Sequence, residues 1–168
     1  MKHKQFGFYI ENLAKKLEWV GIAGVLLMML ATVIDVIGAK VFLSPLRGAI
    51  EIVGFGQIIA ISCAITVGLF FKRHIDIELF VSWLSERVQK NIHFFISILG
   101  FVFFAILAWQ SCMYGISLKS AGEISSSAYI PFYPFAHVIA FCAAVASLYY
   151  VNEILLYFKG KGDKNESS

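Results

Sequence analysis

The chain has 168 residues, of which 59% are hydrophobic and 15% charged, and its formal net charge is +3. A soluble domain is about 45–50% apolar and about 25% charged, so this chain has more apolar side chains than a water-soluble core of its size can bury. Composition therefore favours a membrane protein. The small positive excess contains no basic block interleaved with aromatic residues, which gives no support for a nucleic-acid partner. Cys63, Cys112 and Cys142 lie singly within apolar runs, a pattern typical of small core residues rather than of a disulfide framework or a metal site.

Four apolar runs are long enough to cross a hydrocarbon core of about 30 Å, which takes roughly 20 helical residues. The predicted membrane helices cover residues 19–43, 52–71, 92–118 and 130–151 of a membrane domain at 19–158. The first run is longer than a signal-peptide core of about 7–15 residues and ends without a clear cleavage site, so we expect it to be retained. The sequence thus predicts an all-α integral membrane protein with four transmembrane helices.

Two further segments have amphipathic patterns. Between residues 76 and 90, apolar residues recur at helical spacing opposite a polar side, which predicts a helix lying in the membrane interface. Trp83 would sit there at headgroup depth, as Trp19 would at the start of the first membrane helix. Residues 1–18 carry a shorter stripe, which predicts either another interfacial helix or a continuation of the first membrane helix. Residues 159–168 are polar and are predicted to form a disordered tail.

The distribution of basic residues predicts the orientation of the chain. Eleven of the fourteen Lys and Arg residues lie in the N-terminal segment, the second connection and the C-terminal tail, which share one side of a four-helix topology. Basic residues are preferentially retained on the cytoplasmic side. Both termini are therefore predicted to be cytoplasmic.

Ionisable and polar residues in the membrane helices are the first candidates for function, because they are costly there. Asp35 lies about 24 Å along the first helix from Trp19, at a rise of about 1.5 Å per residue, and so falls near the outer boundary. Arg47 and Glu51 are four residues apart and are predicted to pair on one helical face. We interpret these residues as boundary charges that reach water; an ion-binding or proton-relay role is the alternative. Gln57 lies deeper and is a candidate for an interhelical hydrogen bond.

The sequence offers little support for a cofactor or for catalysis. Haem would need two histidines facing each other, but His74 and His93 fall at the cytoplasmic end and His137 at the outer end. No loop contains a nucleophile with a base and an orienting group. We therefore expect no enzyme activity, no metal and no bound cofactor.

Small residues recur every four positions on two of the predicted helices, where they allow helix backbones to approach. They serve either packing within the chain or a partner helix, and they are Ala60, Ala64 and Gly68 on the second helix and Ala136, Ala140 and Ala144 on the fourth. The central thirds of all four helices lack formal charge, and no inverted repeat or mid-helix Gly/Pro break is evident. Self-sufficient secondary transporters usually have inverted repeats, broken helices and ionisable groups near the middle of the membrane. Because these features are missing from the sequence, the chain is predicted to be an accessory subunit.

Three motifs in order resemble one family. Residues 47–57, RGAIEIVGFGQ, and residues 72–79, KRHIDIEL, resemble the opening acidic residue of the second helix and the following His-Ile-x-Val-Asp-like motif of the small membrane subunit of tripartite ATP-independent periplasmic (TRAP) transporters. Residues 125–134, SSSAYIPFYP, are similar to the Ser-rich, Ile-Pro and Pro sequence before its fourth helix. The resemblance runs from Trp19 to about Phe158. At the end of the first helix, family members often carry Arg where this chain has Ala39-Lys40, and Lys cannot reproduce a bidentate Arg contact.

The resemblance implies a Q-type small permease subunit in a bacterial inner membrane, with a large membrane subunit and a periplasmic substrate-binding protein as partners. The complex would import an organic acid, such as a carboxylate or sialic acid, with a sodium gradient, and this subunit would brace the large one. The predicted partner-contacting or structural residues are Arg47, Glu51, Gln57, His74, Asp76, Ser127, Pro131 and Pro134. Within this set, His74 and Asp76 would set the start of the interfacial helix. Pro131 and Pro134 would set the entry of the chain into the fourth membrane helix.

Two other functions fit a four-helix membrane chain. One is a stand-alone small transporter, which would need an acidic residue embedded more deeply than Asp35. The other is a membrane-anchor subunit of a redox complex, which would need haem ligands.

Overall fold

The structure is a computed structural model, and it describes residues 2–70 and 86–162. The described residues form four α-helices: α1 (Lys2–Val41), α2 (Ala49–Phe70), α3 (Glu86–Ala121) and α4 (Tyr133–Gly162). Each contains a segment long and apolar enough to cross a membrane, namely Lys15–Val41, Ala49–Phe70, Val88–Ala121 and Tyr133–Tyr157. The prediction of an all-helical chain with four candidate membrane helices is confirmed for the described residues.

The first helix is longer than a bilayer requires. Its 40 residues extend about 60 Å at about 1.5 Å per residue, roughly twice the thickness of the hydrocarbon core. Residues 2–18 belong to this continuous helix, which corresponds to the second of the two predicted alternatives for the N-terminal segment. Most of the interfacial helix predicted at 76–90, including Trp83, lies outside the described residues.

The helices lie side by side in the order α1, α2, α4, α3, because α1 packs along α2, α2 along α4, and α4 along α3. The two middle helices bury the larger share of their apolar segments, 33% for α2 and 28% for α4, against 11% for α1 and 6% for α3. Many large apolar side chains of α1 and α3 are consequently exposed. Such a surface would be exceptional on a soluble monomer, whereas in a bilayer it contacts lipid or a partner helix.

Glycines bring the backbones of α1 and α2 together. A Cβ atom on Gly24 would lie 3.1 Å from the carbonyl oxygen of Gly56 and 3.3 Å from the backbone nitrogen of Ala60. Ala60 is itself buried. Small residues at such crossings allow close helix contact in membranes, where packing has to replace the hydrophobic effect between helices.

Three helices meet in a small buried core. Leu17 of α1, Cys63 of α2, and Cys142 and Val145 of α4 form one apolar cluster, in which the Sγ atoms of the two cysteines are 4.0 Å apart. Beside them, the Thr66 hydroxyl donates to the carbonyl oxygen of Cys142 at 3.2 Å. A polar side chain inside the row of helices is thereby satisfied.

The contact between α3 and α4 is lined by aromatic rings set against glycine. Gly100 lies against the ring of Tyr150, and Gly115 against the ring of His137. The Nδ1 atom of His137 is 2.7 Å from the carbonyl oxygen of Tyr133, one turn earlier on the same helix. This histidine is therefore a packing residue with a hydrogen bond inside its own helix.

Candidate functional site

The loop between α1 and α2 is held by the last turns of α1. The amide groups of Phe42 and Ser44 both donate to the carbonyl oxygen of Gly38, at 3.2 and 2.9 Å. The Asp35 carboxylate accepts a hydrogen bond from the Leu46 amide at 2.9 Å. Asp35, which the sequence placed at the outer boundary, thus ties the loop back to α1.

The connection between α3 and α4 begins with a Schellman motif. The amide of Gly122, whose φ is +66°, donates to the carbonyl oxygen of Lys119, and that of Glu123 donates to the carbonyl oxygen of Leu118. This pair of hydrogen bonds around a left-handed glycine is a common helix ending. A small antiparallel bridge between Ile124 and Pro131 follows.

The bridge closes a compact loop over residues 125–130, which we call the outer loop after its side in the predicted topology. The Ser125 amide donates to the carbonyl oxygen of Ile130 at 2.9 Å, and the Ile130 amide donates to the Ser125 hydroxyl at 3.3 Å. Tyr129 adopts a left-handed conformation with φ +55°, which is uncommon for a residue with a side chain. Two amides, those of Ser127 and Ala128, are left pointing to one side of the loop.

Glu51 binds this side of the outer loop. Its carboxylate accepts hydrogen bonds from the Ser125 hydroxyl at 2.5 Å, from the Ser127 amide at 3.0 Å and from the Ala128 amide at 2.6 Å. Glu51 lies in the first turn of α2, where the helix dipole favours a negative charge. Ser125 is 1% exposed, so the contact reaches the interior of the loop. We call this arrangement the Glu51 clamp.

Close packing surrounds the clamp on both sides. Gly48, with φ +77°, approaches the loop so closely that a Cβ atom on it would lie 2.6 Å from the Cβ of Ala128. One turn beyond Glu51, the ring of Phe55 stacks on that of Phe135 with centroids 4.0 Å apart and meets the ring of Phe132 edge-on. Together these contacts fix the start of α2 against the start of α4.

The chemistry of the clamp is that of a fixed structural carboxylate. Both oxygens of Glu51 are engaged by donors of the outer loop, and charge-assisted hydrogen bonds of this kind are the stronger ones. Within residues 2–70 and 86–162, no group of three or more His, Cys, Asp or Glu side chains could hold a metal ion.

Several predicted site residues meet in this clamp, although not as predicted. Glu51 and Ser127 come together, whereas the structure contains no ion pair between Arg47 and Glu51, and Arg47 is exposed. Pro131 lies in the bridge and Pro134 in the first turn of α4. The predicted Arg47–Glu51 pair is corrected because the nearby loop amides occupy the carboxylate.

The remaining predicted residues lie elsewhere. Gln57 is exposed on α2, and Trp19 is 73% exposed on α1. His74, Asp76 and Trp83 fall outside the described residues.

The small residues predicted on α2 and α4 have divided roles. Ala60 and Ala136 are buried within the chain, Ala136 beside Gly115. Ala64 is exposed, and a Cβ atom on Gly68 would meet nothing within 4 Å. One part of the small-residue pattern therefore packs α2 and α4 within the chain, and another part faces outward.

Sequence reasoning did not identify Asp35 as a partner of Leu46, Gly48 as a contact of the outer loop, or Ser125 as the buried donor to Glu51. A glycine just before a helix and a serine-rich loop were the signals available in the sequence. Neither identifies its partner.

Comparison with known proteins assigns the family. The family model described as "Tripartite ATP-independent periplasmic transporters, DctQ component" matches residues 28–160, which include the whole Glu51 clamp. No curated protein and no solved structure matches the chain. This family comprises transporter components rather than enzymes. With four helices among its described residues that can span a bilayer, the chain belongs to the DctQ family of small membrane subunits of TRAP transporters, multi-pass proteins of the inner membrane.

Proposed function

We propose that this subunit braces the large membrane subunit of its transporter during sodium-driven uptake of an organic acid delivered by a periplasmic binding protein. The observation that carries the proposal is a side of α2 that no described residue of the chain covers. The family name implies a tripartite assembly, and this surface has the chemistry expected of a contact with another membrane helix.

The residues on the open side of α2 are spaced three and four positions apart along the chain, so they share one helical face. A Cβ atom on Gly54 or on Gly68 would meet no atom within 4 Å, and Ile61 between them is 50% exposed. Ala64 and Gly68 also line a groove of about 340 Å³ between α1 and α2. We call this surface the α2 face. Small residues with open space beside them allow the backbone of a second helix to approach closely.

Gln57 adds a polar side chain to the α2 face. Its side chain is exposed within the candidate span Ala49–Phe70, and among residues 2–70 and 86–162 it has no hydrogen-bond partner. An unpaired amide is costly in hydrocarbon, so a polar group on a neighbouring helix would stabilise the complex. This supports Gln57 as an interhelical contact, in keeping with its predicted role.

The Glu51 clamp supports the bracing role. It joins the start of α2 to the loop before α4, so the two middle helices of the row are tied at this end by polar contacts as well as by Phe55. A subunit whose central helices are fixed to each other can hold a moving partner in place. On the predicted topology this end faces the periplasm and both termini face the cytoplasm.

Co-purification from a strain that expresses the complete transporter tests the proposed contact. We expect Ala64→Leu to reduce the yield of large subunit recovered with the tagged chain. Ala23→Leu introduces the same side chain at an exposed alanine of α1 and should leave the yield unchanged. Similarly, Gln57→Leu should reduce recovery, whereas Gln110→Leu, at an exposed glutamine of α3, should not. Undiminished recovery with both α2 variants would refute the α2 face as the contact.

Reconstitution tests whether transport depends on the partner subunits. Proteoliposomes containing both membrane subunits and the binding protein should take up an organic acid only with an inward sodium gradient, and those containing this chain alone should take up none. Ion-coupled flux by this chain alone would refute the bracing role and favour a stand-alone transporter.

A further inference from the structure

We propose that the groove between α1 and α2 receives a helix of the large subunit whose basic side chain pairs with Glu18. This pairing rests on the function proposed above and specifies the chemistry of the partner at one position. The groove has a volume of about 340 Å³, and its lining comes from positions 18–25 of α1 and 60–68 of α2. We call it the α1–α2 groove.

Small residues at the α1–α2 groove leave room for the backbone of a second helix. A Cβ atom on Gly21 would lie 3.1 Å from the Cβ of Cys63, so α1 and α2 approach closely beneath the groove. Ala64 is exposed, and a Cβ atom on Gly68 would meet nothing within 4 Å. The lining extends over about 10–12 Å of each helix, which is the length of two helical turns. Since Ala64 and Gly68 also belong to the α2 face, the groove continues that surface.

Glu18 is the only charged residue among the described residues that line the groove. Lys15 and Lys16 lie shortly before it on α1 but do not line the groove. The Glu18 side chain is exposed, and within residues 2–70 and 86–162 it has no hydrogen bond and no ion pair. Because the apolar run begins at the next residue, Trp19, the carboxylate lies where the groove meets the membrane boundary.

A helix docked in the groove would remove water from this carboxylate. An ionised group that loses water without gaining a partner is strongly destabilising, and ionisable side chains in membrane helices therefore pair with one another. A lysine or arginine on the docked helix meets this requirement, because its apolar stem can lie along the groove while its charged end reaches Glu18. The rest of the lining is apolar, so Glu18 restricts docking to a helix with a basic residue at this depth.

Dilution of the solubilised complete transporter tests the pair. The tagged chain is recovered from a series of dilutions, and the readout is the concentration at which half of the large subunit is lost. Since an exposed ion pair contributes up to about fivefold to an affinity, Glu18→Gln should raise this half-loss concentration about two- to fivefold. Asn12→Lys changes the charge by the same amount at an exposed position of α1 that does not line the groove. This control should leave the half-loss concentration unchanged.

A charge swap identifies the partner residue. Glu18→Lys places two like charges together and should raise the half-loss concentration further than Glu18→Gln does. Each lysine and arginine near the cytoplasmic boundary of the large subunit is then changed to glutamate in turn, and one of these changes should restore the original value. The added positive charge agrees with the retention of basic residues in the cytoplasm, so the predicted topology is kept. If Glu18→Lys does not accumulate, the comparison of Glu18→Gln with Asn12→Lys decides.

An unchanged half-loss concentration in Glu18→Gln would overturn the proposal, and so would a charge swap that no change in the large subunit restores. A phospholipid in the groove would give that unchanged value, and native mass spectrometry would detect the lipid on the isolated chain. Loss of recovery with Ala64→Leu but not with Glu18→Gln would refute the basic partner while the α2 face stands. If neither substitution has an effect, the α2 face is refuted as well.

Discussion

The approach of Gly48 to the outer loop leads to a quantitative prediction for Gly48→Ala. Gly48 has φ +77°, and a Cβ atom there would lie 2.6 Å from the Cβ of Ala128 and 3.0 Å from its backbone nitrogen. A left-handed conformation costs a residue with a side chain roughly 1–2 kcal/mol. Because the obstructing atoms include backbone, the loop has to move, and overpacking of this kind typically costs about 1–3 kcal/mol more. We expect Gly48→Ala to lower the free energy of unfolding by about 2–5 kcal/mol.

Gly122→Ala provides the matched control. Gly122 has a similar φ of +66°, but a Cβ atom there would meet nothing within 4 Å. It should therefore incur only the conformational cost of roughly 1–2 kcal/mol. Both substitutions restrict the unfolded chain equally, so that contribution cancels in the comparison.

Unfolding of the purified chain in mixed micelles, with rising SDS content and helicity followed by circular dichroism, measures both variants. The reasoning requires Gly48→Ala to be the more destabilising by about 1–3 kcal/mol. Equal losses would show that the loop does not press on Gly48 and would refute the packing of the clamp described above.

Three further substitutions or fusions test other parts of the structure. Glu51→Gln should lower the SDS content at the midpoint of unfolding, because the outer loop loses a charged acceptor. Glu123→Gln, at an exposed glutamate, should leave this midpoint unchanged. Equal midpoints for the two variants would contradict the clamp. Gly24→Leu should lower the free energy of unfolding by about 1–3 kcal/mol, because the new side chain clashes with α2. Gly54→Leu, at an open position, should be nearly neutral in the isolated subunit. A neutral Gly24→Leu would show that α1 and α2 are less closely packed. Alkaline phosphatase fused after Ser168 should be inactive and a fluorescent protein should fluoresce, whereas an active phosphatase would reverse the predicted topology.

The four membrane helices could be predicted because a bilayer imposes a length on them. A helix has to remain apolar over roughly 20 residues to cross it, and runs of that length are visible in the sequence. The order of the helices in the row could not be predicted in the same way. Lipid-facing and protein-facing sides are both apolar, so the pattern that identifies the buried side of a soluble helix is largely lost.

The clamp illustrates a different limit. The sequence marked Glu51 and Ser127 separately, and helical spacing suggested Arg47 as the partner of Glu51. Two of the actual donors are the backbone amides of Ser127 and Ala128. Every residue except proline offers such a donor, so the amino-acid types do not reveal which amides a loop will turn toward a carboxylate.

The side-by-side order α1, α2, α4, α3 has a consequence for the biogenesis of the subunit. In the chain, α3 is synthesised before α4, yet α4 is the helix that packs against α2. The four described helices thus form two hairpins, α1 with α2 and α3 with α4, which contact each other through α2 and α4. This contact can form only after α4 has entered the bilayer. Since proteins fold progressively during synthesis, α3 lies beside the first hairpin without its final neighbour until α4 has been synthesised. The contact between Glu51 and the loop before α4 would then be among the last to form, and it would mark the completed subunit.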